Sequence, residues 1–185
     1  MNGHLKITVI FLLLLSSCCK EGTEVNKYLL TDSEKAAIPY LPNETIKFNY
    51  TNGFEFDMVV ADKQTEWRTT ETQHCGDNWS KYEVLVISLN STTPELHIKL
   101  ESIPKEIDRN TIISINNKTQ FHLNLLGEPN IDTLTVNGNT FANIYQADSF
   151  WSDTLVIRPK QILYSKEVGI IQITMTDNER FTINE

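Results

Sequence analysis

The chain has 185 residues, of which 40% are apolar and 22% charged, and a formal net charge of -8. That length suits one domain better than two, and the composition is that of neither a disordered chain nor a polytopic membrane protein. The acidity excludes a sequence-independent nucleic-acid binder, which needs a basic face to displace counterions, and excludes recruitment to anionic lipid by net charge alone.

The chain opens on a leader. Met1 to Lys6 supplies two cations, Lys6 and the α-amine, and Ile7 to Leu15 is an apolar run broken only by Thr8. A membrane-spanning helix needs roughly 20 apolar residues, so this shorter run fits the apolar core of a signal peptide. Leu15-Ser16-Ser17-Cys18 follows directly. It resembles the lipobox of bacterial lipoproteins: an aliphatic residue, two small residues, then the cysteine that receives diacylglycerol before cleavage on its N-terminal side. The resemblance implies a signal peptide over residues 1–17, a lipid (palmitate included) on Cys18, and attachment to the outer membrane. Placing the lipid on Cys19 would lose the aliphatic position. One acyl chain binds a membrane only marginally, at about 0.8 kcal/mol per buried CH₂, whereas two or three chains anchor a protein stably. Removing the leader takes away one cation and no anion, so the exported part is more acidic still.

Residues 18–43 read as the lipidated cysteine and a polar tether. A short helical turn is predicted at Asp32 to Ala37, capped by Asp32 or Ser33 and stopped by Pro39 and Pro42. Lys20-Glu21 partly resembles the surface-export signal of Bacteroidota lipoproteins, until Gly22 interrupts it. That leaves two orientations, the cell surface or the periplasmic face. Residues 44–185 read as a single β domain. Ile46, Phe48 and Tyr50 alternate with polar residues, then Asn52-Gly53, then Phe54, Phe56, Met58 and Val60 alternate again. Two such runs around Asn-Gly predict a hairpin with a type I′ turn. Further strands are predicted over 81–89 and 95–101, 111–115 and 119–125, and 131–136 and 140–146 around Asn137-Gly138. The last are 154–157, 161–165, 170–176 and 180–183. Val84-Leu85-Val86-Ile87 suggests a strand covered on both faces. The prediction is all-β: an antiparallel sandwich, barrel or highly curved sheet of about ten short strands.

The C-terminal third carries a second resemblance. Residues 134–145 (LTVNGNTFANIY) and 162–173 (ILYSKEVGIIQI) are similar to the closing segments of many small Bacteroidota lipoproteins of unknown function. This implies origin and fold class without an activity.

Catalytic and metal-binding signals are sparse. His74, His97 and His122 remain after the leader, with no H-x-x-x-H, H-x-H or C-x-x-C spacing. No cofactor is implied. A Cys19–Cys75 disulfide is chemically conceivable in an exported protein, but nothing in the sequence supplies its geometry. Neighbours on a strand point to opposite faces, so His74 and Cys75 read as loop residues rather than a catalytic pair. Glu55 and Asp57 share a strand face and read as its wet side. Trp67, Trp79 and Trp151 lie in polar, loop-like stretches and are candidates for a sugar- or protein-binding surface, or for caps on the ends of a β core. Asp132-Thr133-Leu134 and Asp153-Thr154-Leu155 resemble the O-glycosylation acceptor of Bacteroidota, which makes Thr133 and Thr154 candidate sugar sites. The leading expectation is a non-enzymatic membrane lipoprotein that binds a protein or glycan or supports an envelope assembly. The alternatives are a carrier of a lipid or other apolar ligand in a β-barrel cavity, and an envelope hydrolase.

Overall fold

A computed structural model describes residues 22–70, 77–150 and 156–184. Among these residues, twelve strands form one sheet, with a single short helix, α1 (Asp32–Ala36), outside it. In chain order the strands are β1 (Glu24–Tyr28), β2 (Thr45–Tyr50), β3 (Glu55–Thr69), β4 (Trp79–Thr92), β5 (Glu95–Ser102) and β6 (Thr111–Ile115). They continue with β7 (Thr119–Leu123), β8 (Ile131–Val136), β9 (Asn139–Asp148), β10 (Pro159–Ser165), β11 (Gly169–Met175) and β12 (Arg180–Ile183). Their spatial order is β7-β6-β5-β4-β3-β2-β12-β11-β10-β9-β8, and every pairing along it is antiparallel. The fold is therefore all-β, as its hairpin pattern predicts. The sheet curves until β7 packs against β9 and β10 without pairing to them, so it does not close into a barrel.

The turn chemistry explains the local register. Asn137 and Gly138 both take positive φ (50° and 87°), as a two-residue type I′ turn requires, and Val136 pairs with Asn139 across it. The first Asn-Gly behaves differently from its prediction. Only Gly53 is at positive φ (86°), and its amide bonds the carbonyl of Tyr50 while Tyr50 bonds back to Phe54. The loop is one residue longer, and Gly53 follows the turn as a bulge instead of standing inside it. The side chain of Asn52 accepts the Phe54 amide at 3.0 Å, which favours this longer loop.

One face of the curved sheet forms the core. Phe48, Phe56, Met58, Val60, Ile87, Leu89, Ile98, Leu100, Ile113, Ile115, Phe121 and Ile173 are all buried there. Phe48 stacks on Phe56 at 5.8 Å between centroids, and Phe181 meets Phe56 edge-on at 5.5 Å.

The segment read as a polar tether is, from Glu24 onward, part of the fold. β1 pairs parallel with the first residues of β4, and Leu30, Ala37, Ile38 and Tyr40 join the core. The cap of α1 is Thr31 rather than Asp32 or Ser33. Its hydroxyl accepts the Glu34 amide while its own amide bonds the Glu34 carboxylate at 2.7 Å, forming a capping box. Glu at the third helical position decides which residue caps, because only from there does it reach back. Burial pushes the Glu34 carboxyl up. Hydrogen bonds from the Thr31 hydroxyl, the Thr31 amide and the Lys105 amide outweigh that and hold it below its ordinary value.

Two buried tyrosines dock this segment. The Tyr164 hydroxyl donates to the carbonyl of Ala37 at 2.9 Å, and the amide of Ile170 donates to the Tyr40 hydroxyl at 2.6 Å. Burial raises the pKa of both phenols, so they remain neutral. Gly169 sits at φ +85° directly beneath Tyr40, where a Cβ would lie 2.2 Å from its hydroxyl oxygen. Gly169→Ala is expected to lower stability by roughly 2–5 kcal/mol, through left-handed backbone strain plus overpacking. Urea denaturation of Gly169→Ala, Tyr40→Ala and the double variant checks this. The glycine substitution should cost distinctly less once the tyrosine ring is gone, and equal costs in both backgrounds would reject the contact as the cause.

Candidate functional site

Two surface features stand out among the described residues. The first is an arm. Beyond the point where β5 ends against Leu85, the first residues of β4 continue with β1 on one side and the last residues of β3 on the other. Trp67 lies opposite Glu83 on β3, Lys81 lies opposite Thr69, and Lys27 pairs with Lys81. Both lysines converge on the Trp67 ring, with Nζ of Lys27 at 4.4 Å from its centroid and Nζ of Lys81 at 5.2 Å. Val25 lies at a register shift between Glu24 and Asn26, and Leu29 follows the end of β1. Val25, Leu29 and Trp67 are 49%, 60% and 40% exposed. The result is an exposed indole ring carrying two cations, with two further exposed apolar residues on the same arm.

Trp79 opens β4 at the base of this arm. Its indole N–H donates to the carbonyl of Gly22 at 3.3 Å, and its backbone amide bonds Thr23 at 3.1 Å. Sequence reading placed Trp67 and Trp79 in loops. Both lie in strands, because threonine-rich stretches such as Thr69-Thr70 and the β-prone Trp residues themselves extend the β3–β4 pair well past its core. Trp79 acts as a structural fastener, and Trp67 is the exposed member. Cys18, Cys19, His74, Cys75, Trp151 and Thr154 lie outside the described residues.

On the opposite face of the arm, Arg68 bonds Glu66 and reaches Glu101 on β5 at 2.6 Å, while Lys99 reaches the same carboxylate at 2.6 Å. Val84 and Val86 share this outward face and are buried all the same. The prediction that this strand is covered on both faces therefore holds, with charged side chains supplying the second cover. Burial pushes the Glu101 carboxyl up, and the hydrogen bonds and charges of Arg68 and Lys99 more than offset this and hold it below 4.5.

The second feature is a cleft that no sequence pattern announces. Two depressions, of about 530 Å³ and 320 Å³, adjoin each other and share Val136, Asn137, Gln172 and Arg180. The β8–β9 turn forms one wall. The floor is the face of β11, β12 and β2 that turns away from the core, with Gln172, Thr182 and Asn49 in register. Gln172, Thr174 and Thr182 are buried, and Gln172 donates to Thr174 at 3.0 Å. The side-chain oxygen of Asn49 is buried, and no donor among the described residues reaches it.

The remaining candidates stay apart. His97 on β5 bonds Asn90 on the neighbouring β4, and His122 sits two strands beyond His97 in the row of Ile112 and Glu101. Strand spacing separates the two by roughly 13 Å along the sheet and 10 Å across it. Glu55 bonds Asn184, and Asp57 faces Lys47, so both belong to a wet surface. Thr133 is exposed on β8. Among the described residues no group of three His, Cys, Asp or Glu side chains could hold a metal, and no helix is long and apolar enough to cross a membrane. No protein-family model, curated protein or solved structure matches the chain.

Two outcomes test these assignments. Trp67→Ala should keep the denaturation midpoint within about 1 kcal/mol of the parent, whereas Trp79→Ala should cost more because it releases the Gly22 carbonyl. Because Glu101 titrates lower when folded, the stability it contributes is complete above pH 4.5 and disappears as pH falls through its folded value. Glu101→Gln should accordingly flatten the acid limb of stability against pH. An unchanged acid limb would show that the Arg68–Glu101–Lys99 group is energetically silent.

Proposed function

We propose that this chain is a lipid-anchored, non-enzymatic binding protein of the bacterial cell envelope, held to the outer membrane through Cys18 with its tryptophan arm toward the lipid. The observation that carries this reading is where the chain arrives. Gly22 and Thr23 are fastened to the arm by Trp79, only four residues after the lipobox cysteine. Four extended residues span at most about 14 Å, so a lipid on Cys18 would hold the arm at the bilayer surface. The chemistry of the arm suits that position. An indole flanked by two lysines matches the interfacial zone, where amphipathic rings and snorkelling lysines sit at headgroup level. The overall acidity of the protein makes the acyl chains, rather than charge, the source of affinity.

A binding role suits the rest of the molecule better than catalysis, since the candidate acids and histidines lie on separate strands. An apolar carrier is the weaker alternative. The concave side of the sheet is filled by Phe48, Met58, Phe121 and Tyr164, and the depressions described above lie on outer surfaces.

Cys18→Ser should move the protein from the membrane fraction to the soluble fraction with its denaturation midpoint unchanged; continued sedimentation with membranes would overturn the anchoring. In proteoliposomes with brominated acyl chains, the anchored parent should show tryptophan quenching that Trp67→Phe reduces. Equal quenching in both would turn the arm away from the lipid.

A further inference from the structure

The arm and the cleft lie at opposite ends of β3. Trp67 is near its C-terminal end, while Tyr50, Thr51 and Gly53, just before its N-terminal end, line the cleft. Twelve residue steps from Glu55 to Trp67 set this separation at up to about 40 Å. If the arm faces the lipid, the cleft faces outward, open to whatever lies beyond the membrane.

The lining of the cleft is unusual for a small-molecule pocket, which is mostly apolar with a few polar groups. Here amide and hydroxyl side chains (Asn49, Asn137, Gln161, Gln172, Thr174 and Thr182) outnumber the apolar ones, although apolar atoms supply about half of the surface. An amide offers an acceptor and two donors side by side, and a hydroxyl offers both roles. Such a surface matches a ligand that itself presents closely spaced hydroxyls. Leu134, Val136 and Leu163 add a narrow apolar strip, which suits the C–H faces of sugar rings.

The charge balance selects within that class. Lys160 and Arg180 line the cleft, and Asp177 and Glu179 stand in the β11–β12 turn just before Arg180. Both carboxylates act on the Tyr50 hydroxyl, whose pKa is raised first by burial and then by Glu179 and Asp177. Two carboxylates thus act at the rim of a cleft lined by two cations, which weakens its pull on an anion such as a phosphate. A second observation points to a ligand independently. The buried Asn49 oxygen has no donor among the described residues, and an unmatched buried acceptor destabilises a fold. A ligand hydroxyl in the cleft would supply that donor.

We propose that the cleft between the β8–β9 turn and the outer face of β11, β12 and β2 binds a neutral oligosaccharide. Asn49, Asn137 and Gln172 read its hydroxyl groups. This extends the binding-protein reading by naming a ligand class, yet it does not depend on the lipid at Cys18.

The test applies the full chain, purified in detergent, to an array of neutral and acidic glycans. The best neutral binder and inorganic phosphate are then titrated by calorimetry. Two variants separate the site from folding. Asn137→Gly keeps the positive φ of the turn while removing the amide, and Asn49→Ala removes an acceptor that holds no hydrogen bond in the protein. Both should weaken neutral-glycan binding at least tenfold, and Asn49→Ala should leave the thermal midpoint unchanged or raise it. Retention of no neutral glycan, stronger binding of phosphate or of acidic glycans alone, or binding indifferent to both variants would each overturn the proposal. Recovery of the bound glycan cleaved rather than intact would instead overturn the non-enzymatic reading and leave the site standing.

Discussion

The fold depends on one docking contact, that of the segment between β1 and β2 against the β10–β11 hairpin. A sheet of this width that does not close would leave its concave face open to water. The residues from Leu30 to Tyr40 cover it, and two phenol groups fix them there by hydrogen bonds to backbone. A buried hydroxyl without a partner is costly, so each bond also specifies position. Tyr40 leaves no room for a side chain at position 169, which makes the glycine a matter of close approach as well as of turn geometry. Glu83, Ser102 and Lys105 add polar ties from β4, β5 and the following loop to α1. The helix, though only five residues long, thus holds β4 and β5, while Ala37 and Tyr40 just after it hold β10 and β11, which are distant from them in sheet order.

Much of this was legible in the sequence, and the failures have physical reasons. Strands whose apolar residues alternate could be read directly, because the core takes every second side chain. The Asn137-Gly138 hairpin was legible for the same reason. At Asn52-Gly53 the local preference of the Asn52 side chain for the Phe54 amide outweighed the shorter turn. β1 escaped notice because its residues are exposed, with Tyr28 alone partly covered, so no periodicity marks them. Its existence depends on a partner 50 residues and more away, and sequence patterns do not carry such pairings. The long ends of β3 and β4 were hidden similarly: they gain stability from each other rather than from the core.

The cleft was illegible for a different reason. Gln172, Thr174 and Thr182 look like ordinary polar residues on the wet side of strands. Only the return of the β8–β9 hairpin turns them into a floor with a wall. Asn143, held at φ 55°, interrupts β9 where this hairpin departs. The arm and cleft therefore arise from the same device. In both, a pair of strands outruns the shared core and brings its polar residues together with another element.

The parallel pairing of β1 with β4 has a mechanical consequence. Residue 22 is the point through which any pull on the chain from its N-terminal side arrives. β1 runs lengthwise along β4 from that point, so such a pull loads its hydrogen bonds in shear, all together. A hairpin pulled from its open end would instead unzip one bond at a time. Behind β1, the next segment is itself fastened at Glu83, Tyr164 and Gly169. Tension entering at residue 22 is thus spread over a whole strand and then over the plug of the sheet before it reaches β2.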